Sequence, residues 1–126
     1  MTRVLLVGPD PETIDYADPS LPPGLDAEKL RTGLALAAET LAARGWRMDL
    51  CLLPVDDGAG ALAVQLAGAE YACVVIGTGL RLPAMNLLLF ERIINIIRTA
   101  APRASIAFNT GPAQTAEAAA RWIKDI

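Results

Sequence analysis

Four stretches of the chain are apolar at most positions, and each runs into turn residues and then into a helix-spaced pattern: Arg3 to Gly8, Arg47 to Pro54, Tyr71 to Gly77 and Ala104 to Asn109. Short apolar runs bounded by Gly, Pro and Asn read as buried strands. Their alternation with helical segments predicts an α/β domain on a parallel sheet. Val4 to Val7 and Val74 to Ile76 are apolar at every position, which suits central strands covered on both faces. Arg47 to Pro54 mixes polar and apolar positions and suits an edge.

Helical spacing is clearest at Leu30, Leu34, Ala37, Ala38 and Leu41. Asp26 stands where a cap belongs, Leu25 and Leu30 can staple the entry, and Gly45 follows as the stop, so the first helix is placed at 27–44. The second is placed at 58–67, the third at 84–100 and the fourth at 113–124. A four-stranded sheet of order 2-1-3-4 then sits between two helical layers as a three-layer α/β/α sandwich. In the third helix, Leu87, Leu89, Phe90, Ile93, Ile94, Ile96 and Ile97 cover about half the circumference, wider than a surface helix needs. Either neighbouring helices cover that arc, or a second copy does; a homo-oligomer through 84–100 is the expectation carried forward.

The 126 residues fit one domain, 1–126. With 53% hydrophobic and 20% charged residues, a packed core is expected rather than disorder. No apolar run reaches membrane-helix length, and Val4 to Val7 is too short for a signal-peptide core, so a cytoplasmic chain with no membrane association is expected. The net charge is −3 and the cations are dispersed, leaving little footprint for nucleic acid. Cys51 and Cys73 lie inside strands without paired spacing and read as buried thiols. The chain has no histidine, which removes the Ser-His and Cys-His dyads.

Residues 9 to 26 join the first strand to the first helix with five prolines and no cation, a connection long enough to be functional. In the 2-1-3-4 order, the ligand crevice opens between strands one and three. Candidate ligand-binding residues are therefore Asp10 from the first loop, Gly77, Thr78, Gly79 and Arg81 from the third strand's end, and Asn109 and Thr110 from the fourth. Glu12, Asp15 and Tyr16 approach from the same side as Asp10. Gly77-Thr78-Gly79 can cradle a small anion with Arg81 matching its charge, or can simply turn the chain. Asn109 to Pro112 can bind or can turn the chain into the last helix. Asp10, Glu12, Asp15 and Asp18, with Asp56 and Asp57, offer hard oxygen ligands but no calcium-loop spacing, so a solvated rim is expected and no metal site is assigned.

The order Arg3-Val-Leu-Leu-Val-Gly-Pro-Asp-Pro-Glu, Gly45-Trp46, Cys73-Val-Val-Ile-Gly-Thr-Gly-Leu-Arg-Leu-Pro and Phe108-Asn-Thr resembles a response-regulator receiver domain. That resemblance implies the flavodoxin-like fold over Arg3 to about Ile123. It also implies places for an acidic pair, a phosphoacceptor and a Ser or Thr on the fourth strand. Here Gly8 and Pro9 stand at the acidic pair with Asp10 adjacent, Gly79 stands at the acceptor, and only Thr110 fits. No fifth strand or closing lysine follows. The expectation is a noncatalytic small-ligand-binding, regulatory or protein-interaction module without the phosphoacceptor, with no catalytic residue assigned and no cofactor; flavin lacks its phosphate cradle. The alternative is a small histidine-free enzyme, with Asp10 or Glu12 as base on an anionic substrate held by Arg81, Asn109 and Thr110.

Overall fold

The computed structural model describes residues 2–54 and 59–123. Expectations that rest on Asp56, Asp57 or the start of the second helix at 58 lie outside those residues, whereas the last helix, expected to run to 124, ends at Ala120 and gives way to a turn at Arg121 and Trp122. Among the described residues four strands, β1 (Arg3–Pro9), β2 (Arg47–Leu53), β3 (Cys73–Ile76) and β4 (Ser105–Phe108), form one parallel sheet of order β2-β1-β3-β4. Among the described residues there are five α-helices: α1 (Ala27–Ala43), α2 (Gly60–Ala67), the single turn α3 (Thr78–Arg81), α4 (Leu87–Ala100) and α5 (Thr115–Ala120).

The strand pleat explains why β1 and β3 are apolar throughout. Successive side chains point to opposite faces, so Leu5, Val7, Val74 and Ile76 pack with α2 and α4, while Val4, Leu6, Cys73 and Val75 pack with α1 and α5. All eight are fully or almost fully buried. Each aliphatic side chain so buried contributes roughly 1.5–3 kcal/mol relative to exposure. β2, at the edge, buries Cys51 and Leu53 but leaves Leu50 and Leu52 exposed at 40% and 37%.

Asp26 caps α1 by accepting from Lys29 N–H at 2.8 Å. The other end closes as a Schellman motif: Trp46 N–H donates to Leu41 O, Gly45 N–H donates to Ala42 O, and Gly45 takes φ +79°. Leu41 and Trp46 then bury together in the α1–α5 layer. The apolar arc of α4 is largely met by its own chain. Leu89, Ile93 and Ile97 are buried and Phe90, Ile94 and Ile96 partly so, leaving Leu87 and Leu88 exposed at the helix start.

Most expected boundaries hold within two residues. The loop after β3 departs, because Thr78 to Arg81 coil into α3 rather than staying extended. The last helix also starts later than expected: Pro112–Gln114 forms a 3₁₀ turn first, with Thr115 N–H bonded to Pro112 O.

Candidate functional site

The carboxyl ends of β1, β3 and β4 open onto a crevice of about 170 Å³. Gly8 and Pro9 bound it from β1, Gly77 to Gly79 from β3, and Asn109, Gly111 and Pro112 from the end of β4. Leu30 and Leu34 of α1 supply a further wall. The last wall comes from the strap between β1 and α1, through Ile14, Pro22 and Leu25. The expected helix staple, Leu25 with Leu30, thus also lines the cavity.

Strap residues are ordered by local hydrogen bonds. Asp10 accepts from Glu12 N–H at 3.0 Å, and Tyr16 O–H donates to Pro11 O at 2.7 Å. Asp18 accepts from the hydroxyl and N–H of Ser20, which lower its pKa. Glu12 pairs with Arg31 and Lys29 Nζ donates to Gly24 O, tying the strap to α1. Leu21 and Pro11 are buried beneath it. Burial first, then the nearby Asp26 and Asp10 carboxylates, push the Tyr16 phenol up.

Two close approaches set the β3 side. Gly77 N–H donates to Val7 O at 2.8 Å, locking the loop to β1. At Gly79 a Cβ would stand 2.7 Å from Pro9 Cγ, so only glycine fits. Asn86 Nδ2 donates to Gly79 O at 3.1 Å from the far side.

Of the expected site residues, Gly77, Thr78, Gly79 and Asn109 meet at the crevice. Asp10, Arg81 and Thr110 lie off its wall. Arg81 sits over the Phe108 ring, 5.9 Å from its centroid, and Nη2 donates to Asn109 O at 3.2 Å. Its Nε is buried without a hydrogen-bond partner among the described residues. Thr110 is exposed, and Asp15 borders a separate shallow groove with Ile14, Leu21 and Gly79.

Among the described residues no charged side chain lines the crevice; its side-chain hydrogen-bonding groups come from Thr78 and Asn109. No group of three acids or thiols that could hold a metal ion occurs among the described residues. Cys51 and Cys73 are buried, free thiols, and burial raises both, Cys73 to about 12. Among the described residues no helix is long and apolar enough to cross a membrane.

Sequence reasoning missed the apolar character of the site, carried by Pro9, Ile14, Pro22, Leu30, Leu34 and Pro112. It also missed Thr115, which is fully buried and accepts from Asn109 Nδ2 at 3.1 Å. The signal was present in the five prolines of the strap and in Leu25, a leucine just ahead of the Asp26 cap that is partly buried. Comparison with known protein families and with curated proteins gives no match.

Proposed function

We propose that the chain is a noncatalytic small-ligand-binding module that takes a small, neutral, largely apolar molecule between the β1 and β3 ends. The observation that carries this reading is the crevice itself, where three strand ends, α1 and the strap converge on walls of aliphatic carbon. Open α/β sheets bind ligands at this position. Cavities of roughly 150 Å³ with aliphatic and aromatic walls stay dry and admit benzene-sized guests, so the size here suits a guest of that class.

Catalysis on an anionic substrate has less support. The candidate base Asp10 caps the turn at Pro11–Thr13 and lies off the crevice wall. An anion in the crevice would shed its hydration without meeting a cation, which is strongly unfavourable. In layout the chain is read as receiver-like without phosphoryl chemistry: Gly79 stands at the acceptor position and Pro9 packs against it.

A thermal-shift series over benzene, toluene, cyclohexane, small alcohols and inorganic phosphate tests the reading. At one hundred times its dissociation constant a ligand adds about 2.7 kcal/mol to stability. Stabilisation by small apolar compounds and none by phosphate is the expected result. A flat response to every apolar compound overturns it.

A further inference from the structure

We propose that Ile14 determines ligand specificity by length, standing as the partition between the crevice and the groove outside it. This deepens the small-ligand reading above and rests on it.

Two cavities meet at the strap. The crevice of about 170 Å³ and the neighbouring groove of about 120 Å³ share Ile14 of the strap and Gly79 of α3 among the described residues. Gly79 has no side chain with which to divide them. It is also held from two sides, since Pro9 Cγ stands where its Cβ would be and Asn86 Nδ2 donates to its carbonyl at 3.1 Å. Among the described residues, that leaves Ile14 as the one side chain common to both walls. Its backbone is extended at φ −79° and ψ 136° as it leaves the turn at Pro11–Thr13. Hydrogen bonds bracket it: Thr13 N–H donates to Asp10 O at 2.9 Å just before it, and Tyr16 O–H donates to Pro11 O at 2.7 Å across it. A β-branched side chain on a fixed backbone has few χ1 rotamers to choose from. The partition is therefore stiff.

The two sides of Ile14 differ in chemistry, which makes a crossing visible. Among the described residues no charged side chain lines the crevice, whereas Asp15 and Asp18 border the groove and no cation does. A tail that passed Ile14 would emerge beside two carboxylates. Each methylene buried on binding tightens affinity roughly fourfold. A homologous series of ligands should gain at that rate while its tail stays within the crevice and stop gaining once the tail reaches Ile14. Trimming Ile14 joins crevice to groove, so the gain should resume there and nowhere else along the wall.

Titration calorimetry with toluene and n-butylbenzene on the unaltered chain and on Ile14→Ala tests the assignment. The unaltered chain should bind toluene and should bind n-butylbenzene no more tightly. In Ile14→Ala, n-butylbenzene should bind at least about tenfold tighter than toluene, part of the roughly fiftyfold that three buried methylenes can give. A preference for n-butylbenzene that is already this large in the unaltered chain, or that Ile14→Ala leaves unchanged, overturns the partition and leaves the apolar-ligand reading standing. Binding of neither compound to either chain overturns both. A paired comparison of 4-phenylbutylamine with 4-phenylbutyrate locates the tail. Ile14→Ala should favour the amine several-fold, and adding Asp15→Asn and Asp18→Asn should erase that preference. Leu34→Ala, which enlarges the crevice from the α1 wall, should show no such preference. Equal binding of the two ions to Ile14→Ala places the tail elsewhere and overturns the assignment. Should Ile14→Ala fail to fold, Ile14→Val removes a single carbon and should shift the n-butylbenzene to toluene ratio at least about twofold in the same direction; an unchanged ratio overturns the partition.

Discussion

Pro9 closes on Gly79 so tightly that a Cβ at position 79 would stand 2.7 Å from its Cγ. The end of β1 and the first turn after β3 are thereby held at backbone distance, which gives the crevice its narrow side. Gly79→Ala must push Pro9 or α3 away. Overpacking of this kind destabilises by about 1–3 kcal/mol. Denaturant unfolding should show the loss in midpoint, and toluene affinity should fall with it; an unaltered midpoint would mean that Pro9 yields freely.

A void next to Leu25 can be filled from the strap. Leu25→Phe adds ring carbon where Leu25 already borders the crevice. The expected outcome is a higher melting temperature together with lost stabilisation by toluene. Retained toluene binding in a stabilised variant would show that the guest sits elsewhere.

Stability should decline in alkali. Unfolded, the Cys73 thiol ionises near 9.0; folded, burial holds it protonated to about 12, partly offset by the Arg121 charge. Across that window the folded chain keeps a proton that the unfolded chain has released, so the Cys73 contribution is whole below pH 9 and is lost as pH rises towards 12. The slope from one such group is at most about 1.4 kcal/mol per pH unit. Cys51 and Tyr71 are raised as well and act in the same direction. Urea titrations at pH 8 and pH 10.5 provide the measurement, with a Cys73→Ala control that should reduce the difference and leave the share of Cys51 and Tyr71. At pH 8 a thiol reagent should label neither cysteine until the chain unfolds.

Tyr71 and Asp49 tie the start of β3 to edge strand β2 through a 2.7 Å hydrogen bond from the phenol to Oδ2. Burial, followed by this bond, raises the phenol's pKa. Tyr71→Phe keeps the buried ring and loses the bond to a charged, half-buried acceptor. A loss of about 1–3 kcal/mol is expected, read as a shifted urea midpoint with an unchanged slope.

The Asp26 cap offers an independent check on the α1 boundary. Asp26→Ala removes the 2.8 Å bond to Lys29 N–H and should reduce stability by about 1 kcal/mol. Asp26→Asn should restore most of it, because the amide oxygen accepts as well.

How far the sequence carries is seen best by comparing β1 with the crevice. Val4 to Val7 announce two covered faces, because in a strand the pleat turns every second residue away and a solvated face would carry polar residues. Gly45 and Asp26 likewise mark the ends of α1 through the backbone chemistry of caps. The placement of the crevice at the β1 and β3 ends was legible from strand order. Its character was not. Leu30 and Leu34 obey the same helical spacing whether they meet a neighbour or border a void, so periodicity cannot tell wall from packed core. The placement of Arg81 was not legible either: a cation beside two glycines suggests an anion, and only the fold shows its guanidinium over Phe108 and bonded to the Asn109 carbonyl. The Asn109–Thr115 pair belongs to no repeating pattern and emerges only once the 3₁₀ turn at Pro112–Gln114 brings the two together.

Pro9, Pro22 and Pro112 stand on three sides of the crevice. Each has φ fixed by its ring and no N–H to offer. The wall is therefore rigid before any guest arrives, and the entropy of shaping it has been lost in folding rather than in binding. Preorganised sites of this kind convert fit into affinity with little reorganisation. Affinity here should track shape closely, and the rate of exchange should depend on how readily the strap lifts.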